Sequence, residues 1–212
     1  MSQIEESNST KHRSKLSIPE DTVYQLPDTM KKDLISIGDD NILSILIKDP
    51  DWKIRKEIVY RNRDKDLDIL VNDSDYGVRM TVARHARPKD LDKLIHDKIY
   101  KVRSAVARFG RAKDLEILVH DPDEFVREEV AKRGRARDLD RLVKDDSKIV
   151  RKAVANYGRS KDLDILLNDK NPEVRDVAMK AQYRNLHPRN SPMDKVTEMR
   201  IDDEQFEMEM ER

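Results

Sequence analysis

Two columns of cations recur every 24 residues: Arg63, Arg87, Arg111, Arg135 and Arg159, then two positions on Lys65, Lys89, Lys113, Arg137 and Lys161. Repeated guanidinium and ammonium groups bind phosphates or carboxylates. The ten therefore describe a basic ridge suited to a nucleic-acid backbone or to an acidic protein segment. The same period also carries carboxylates: Asp66, Asp90, Asp114, Asp138 and Asp162, then Asp68, Asp92, Glu116, Asp140 and Asp164. A solvated face of internal ion pairs is the competing reading of these columns.

A second charged column follows an apolar residue: Arg55, Arg79, Arg103, Arg127, Arg151 and Arg175. At about 100° per residue, Arg127 falls between Val126 and Ala131, inside the apolar arc of a helix. A guanidinium there needs a carboxylate or carbonyl partner. The periodic candidates are Asp66 and its equivalents, and an opening column of Asp49, Asp73, Asp97, Asp121, Asp145 and Asp169. This is read as a structural Arg–Asp ladder between successive units.

Trp52, Tyr76 and Tyr100 share a third column, where later units place Glu124, Lys148 and Pro172. Three aromatics in a row anchor a partner or stack bases, or else fill the edge of the core. Catalytic patterns are missing. There is no cysteine, which excludes disulfides, thiolate metal sites and cysteine nucleophiles. His12, His85, His96, His120 and His187 form no pair spaced for one helix face. No Gly-rich phosphate loop or nucleophile elbow is present. No enzyme activity, cofactor or metal is expected.

The elements that position these columns can be read from one unit, DPDEFVREEVAKRGRARDLDRLVK at 121–144. Asp121 and Pro122 read as an N-cap and first-turn proline. Val126, Val130 and Ala131 give one helix face. Gly134, like Gly110 and Gly158, is placed to end the helix in the left-handed conformation. Asp138 then caps a shorter helix with Leu139, Leu142 and Val143 on one side. Neither helix can bury its stripe alone, so units stack and share a continuous core. The pattern predicts an all-α chain of about seven 24-residue helix–turn–short-helix repeats over 25–188, with worn first and last copies.

The stretch DPDEFVREEVAKRG resembles HEAT-like repeats. The 24-residue period, with a short second helix holding two leucines, is similar to the leucine-rich repeat variant group. The resemblance implies a right-handed α-solenoid that binds macromolecules, most often proteins and sometimes nucleic acid. The cysteine-ligated iron–sulfur cluster known in that group is not implied here. The group's Pro-containing turn appears only as Pro88.

The charge balance of 43 Lys+Arg against 43 Asp+Glu hides a division. Residues 49–188 hold 33 basic and 27 acidic side chains, and residues 189–212 hold four and eight. Residues 1–24 and the acidic tail 189–212 read as disordered ends; folding of the tail onto the basic ridge is the alternative. The apolar runs are far shorter than the ~20 residues of a membrane span, and MSQIEESNST lacks a secretory apolar stretch. A cytoplasmic, non-enzymatic scaffold for a protein partner is expected, with a nucleic-acid-binding solenoid as the alternative.

Overall fold

The computed structural model describes residues 19–186, and the acidic tail 189–212 lies outside the described residues. Among the described residues every regular element is helical. They group into two compact units that divide between Arg61 and Asn62, where the sequence suggests one array over 25–188. The first unit holds the worn first copy.

The first unit contains α1 (Glu20–Tyr24), α2 (Asp28–Ile37), α3 (Asp40–Leu46) and α4 (Trp52–Val59). Residues 20–24, expected within a disordered segment over 1–24, form α1, and residues 1–18 lie outside the described residues. Val23 is buried, and the Tyr24 hydroxyl donates to Glu20 and to the Ile45 carbonyl. Gly38 ends α2 at φ +78°, as a left-handed C-cap requires. Ile35, Ile42, Leu43, Leu46, Ile54 and Ile58 form the core of this unit.

The second unit alternates short and long helices: α5 (Asp64–Leu70), α6 (Tyr76–Arg84), α7 (Pro88–Leu94), α8 (Tyr100–Phe109), α9 (Ala112–Leu118), α10 (Glu124–Lys132), α11 (Ala136–Leu142), α12 (Lys148–Tyr157), α13 (Ser160–Leu166) and α14 (Pro172–Leu186). Each long helix packs on the next long helix, and the short helices pack against the long ones before and after them. This is an α-solenoid. Each complete repeat buries two valines of the long helix, as Val102 and Val106, and two leucines of the short one, as Leu91 and Leu94. Burial of each such leucine contributes about 1.5–3 kcal/mol.

Three capping details differ from the sequence reading. The long-helix N-cap is Asp75 or Asp123, or Ser147 in a later copy, two residues after the opening aspartate. Asp121 instead accepts from the Asp123 amide through Oδ1, and both of its carboxylate oxygens accept from Arg103. Asp138 is the third residue of α11 rather than its cap. Gly134 has φ +65°, but Gly110 and Gly158 are extended, at φ −75° and −83°. There glycine serves close approach: a Cβ on Gly110 would collide with the Val106 carbonyl. The last copy is a single helix, because Gln182 and Leu186 replace the turn residue and the buried aspartate.

Candidate functional site

The seam arginines pair with the opening aspartate of the following repeat. Arg79 meets Asp97 at 2.6 Å, Arg103 meets Asp121 at 2.7 Å, Arg127 meets Asp145 at 2.7 Å, and Arg151 meets Asp169 at 2.6 Å. Each also donates to the carbonyl of its own opening aspartate, as Arg127 does to Asp121 at 2.8 Å. The guanidinium therefore bonds both sides of a seam at once. Arg151 bonds hold the Asp169 carboxyl below its ordinary value against the opposing effect of burial. Burial raises Asp97, yet the bonds from Arg79 and the Ile99 amide bring it below its ordinary value.

The ten predicted ridge cations divide into two depths. Arg63, Arg87, Arg111, Arg135 and Arg159 fold back on the buried third residue of their own short helix, as Arg87 does on Asp90 at 2.6 Å and Arg135 on Asp138 at 2.6 Å. They also reach the preceding repeat: Arg87 bonds Asp64 and Asp68, Arg111 bonds Asp92, and Arg159 bonds Asp140. The outer row stays in water. Lys89, Lys113, Arg137 and Lys161 are 58–70% exposed and pair with Asp68, Asp92, Glu116 and Asp140 of the preceding repeat. These pairs hold Asp68, Asp92 and Asp140 below the ordinary carboxylate value, with Lys89, Lys113 and Lys161 as the leading cause. Lys65 is exposed on α5.

Four residues after the outer row lies a column that charge patterning alone did not single out: Ile69, Lys93, Ile117, Arg141 and Ile165. Residues four apart share a helix face, so Lys113 and Ile117, or Arg137 and Arg141, stand together. Ile69, Ile117 and Ile165 are 56%, 51% and 47% exposed. Lys93 and Arg141 are exposed and have no carboxylate partner among the described residues. The period in the sequence would have located this column; its exposure required the fold.

The three aromatics are half-buried at the starts of their helices. Lys56 lies 5.5 Å over Trp52, and Lys101 lies 5.6 Å over Tyr76. Tyr100 packs on Phe125 at 5.7 Å. In the first unit, Lys31 binds Asp49 at 2.9 Å, filling the position that arginine holds elsewhere.

A cleft of about 540 Å³ opens at a loop edge, lined among others by His120, Arg127, Arg141, Lys144 and Asp146. Among the described residues no group of three His, Asp or Glu is placed to hold a metal ion. No helix of the described residues is long and apolar enough to cross a membrane.

No family model matches the chain, and no curated protein matches its sequence. The structure is similar to that of a leucine-rich repeat variant described as a novel repetitive protein structural motif. The identity is 26% over 77% of this chain and 72% of that one, with a TM-score of 0.63. An engineered protein gives 16% identity over 76% of this chain and 87% of its own, with a TM-score of 0.31. A designed armadillo repeat protein in complex with the peptide (KR)4 gives 17% identity over 77% and 89%, with a TM-score of 0.31. The described helices thus form α-solenoid repeats similar to those of the leucine-rich repeat variant.

Proposed function

We propose that the chain is a non-enzymatic scaffold that binds a protein partner on the outward face of its short helices. The face comprises the outer cations Lys65, Lys89, Lys113, Arg137 and Lys161 and the adjoining column Ile69, Lys93, Ile117, Arg141 and Ile165. The observation that carries this reading is the alternation within that column. Exposed isoleucines take turns with unpaired cations from one repeat to the next. A protein segment with apolar and acidic side chains satisfies both. A phosphate backbone satisfies the cations and leaves three isoleucines in water. The inner arginines are already committed to buried aspartates and support the face rather than contact the partner. Tyr76 and Tyr100, in the same unit as this face, provide further aromatic surface.

The test is capture of a partner by the full chain, compared with Lys113→Glu/Ile117→Ser/Arg141→Glu and with a control, Lys152→Glu, on a long helix. We expect capture to be lost only in the first variant, with helical circular dichroism unchanged in both. Equal capture by both variants places the site elsewhere. Retention of DNA or RNA that falls steeply with salt and is lost in the first variant favours the phosphate reading instead.

A further inference from the structure

Among the described residues nothing covers the outer seam of the last repeat. The column holding Ala83, Ala107, Ala131 and Ala155 is fully or almost fully buried in the second unit, because the next long helix covers it. Its equivalent in α14 is Met179, which is 61% exposed. Tyr183 and Leu186 extend the same helical stripe and are also exposed. The seam arginine of this repeat is incomplete too. Arg175 donates to the Asp169 carbonyl at 2.7 Å, but among the described residues it has no carboxylate partner. A stack whose final seam keeps both its apolar stripe and its guanidinium is prepared for one more layer.

We infer that the chain's own segment 193–212 supplies that layer, with Asp194 as the carboxylate for Arg175. Asp194 stands one position beyond the 18-residue separation at which Arg79, Arg103, Arg127 and Arg151 find their aspartates. Read as a helix, the segment places Val196, Met199, Phe206 and Met210 within about 80° of one another. That stripe matches Met179, Tyr183 and Leu186 in kind. Residues 187–192, which include Pro188 and Pro192, supply a connection of the usual length for two adjacent helices. Charge agrees as well. Residues 189–212 hold eight acidic and four basic side chains, while α14 exposes Lys180 and Arg184 beside the stripe. The inference is independent of the partner-binding face on the short helices.

The full chain has no cysteine, so a single thiol reports on each position. Met179→Cys and the exposed control Ile165→Cys are labelled with a maleimide under native conditions. Met179→Cys is expected to react about tenfold more slowly than the control, at a rate independent of protein concentration. Adding Phe206→Glu and Met210→Glu should raise it to the control rate. Equal rates in the chain without those additions overturn the inference. Slow labelling that accelerates on dilution assigns the face to a second copy and also overturns it. So does slow labelling that Phe206→Glu and Met210→Glu leave unchanged. Hydrogen exchange over 172–186 in the chain without cysteine provides the second readout. Protection there must fall in the Phe206→Glu/Met210→Glu chain, and unchanged protection counts against the inference.

Discussion

Lys31 and Asp49 meet at 2.9 Å inside the first compact unit, and the aspartate side chain is fully buried. The separation in sequence is the one that joins Arg79 to Asp97 in the second unit. The column therefore selects a cation of sufficient reach rather than arginine as such. Arginine adds the second bond, to the carbonyl of its own repeat, through its fork of donors.

Loss of one seam arginine should be costly. Arg151 is 5% exposed at its side chain and binds both Asp169 and the Asp145 carbonyl. Arg151→Ala is expected to lower stability by about 3–5 kcal/mol, because the Asp169 carboxylate is left buried without its cation. Arg137→Ala, which removes an exposed pair with Glu116, should cost less than about 1 kcal/mol. Urea unfolding followed by circular dichroism measures both, and equal costs would remove the seam from the account of stability.

The turn residue offers a stabilising change. Ala86 sits at φ +53°, where glycine carries no Cβ penalty. Ala86→Gly is expected to gain up to about 1 kcal/mol in the same unfolding experiment. A loss would mean that the backbone entropy of glycine outweighs the relieved strain.

Gly110 behaves in the opposite way. Its φ is ordinary, but an added Cβ would collide with the Val106 carbonyl and meet Asp114 Oδ2 at 2.9 Å. Gly110→Ala should destabilise by about 1–3 kcal/mol. Asp114 Oδ2 accepts from the Arg111 amide at 2.7 Å, and this bond must lengthen to admit the methyl group. A faster-exchanging Arg111 amide would report that directly.

Acid should dissolve the ladders. The carboxyls of Asp97, Asp162 and Asp169 lie below their ordinary value of 3.8 in the folded chain. Between the depressed and ordinary values the unfolded chain binds more protons than the folded one. The stabilisation is therefore complete above about pH 5 and is lost as pH falls below about 4. Unfolding free energies measured from pH 3 to 7 should show that slope, and Arg151→Ala should flatten it.

Much of this was legible before any coordinates, because translation by 24 residues writes each structural role as a column. The seam arginines were located in that way, with two aspartate columns as candidate partners; the structure pairs them with the opening column and gives Asp90 and Asp138 to Arg87 and Arg135. The columns did not distinguish Arg111 from Lys113, one held over a buried aspartate and one in water, since depth depends on which way a turn presents each side chain. Nor did they separate Gly110 from Gly134, which share a column and differ in φ by sign. That choice rests on whether Asp114 or Asp138 bonds the preceding arginine amide, a contact of tenths of an ångström that residue type does not record.

The double grip of each seam arginine also bears on how such a chain can change length. Between Asp73 and Asp169 every seam arginine grips its two repeats through the same atoms. Deleting or duplicating an entire 24-residue module there creates no novel join, whereas an indel of any other size severs one. Growth and shrinkage in whole modules is thus the mode of variation this architecture tolerates.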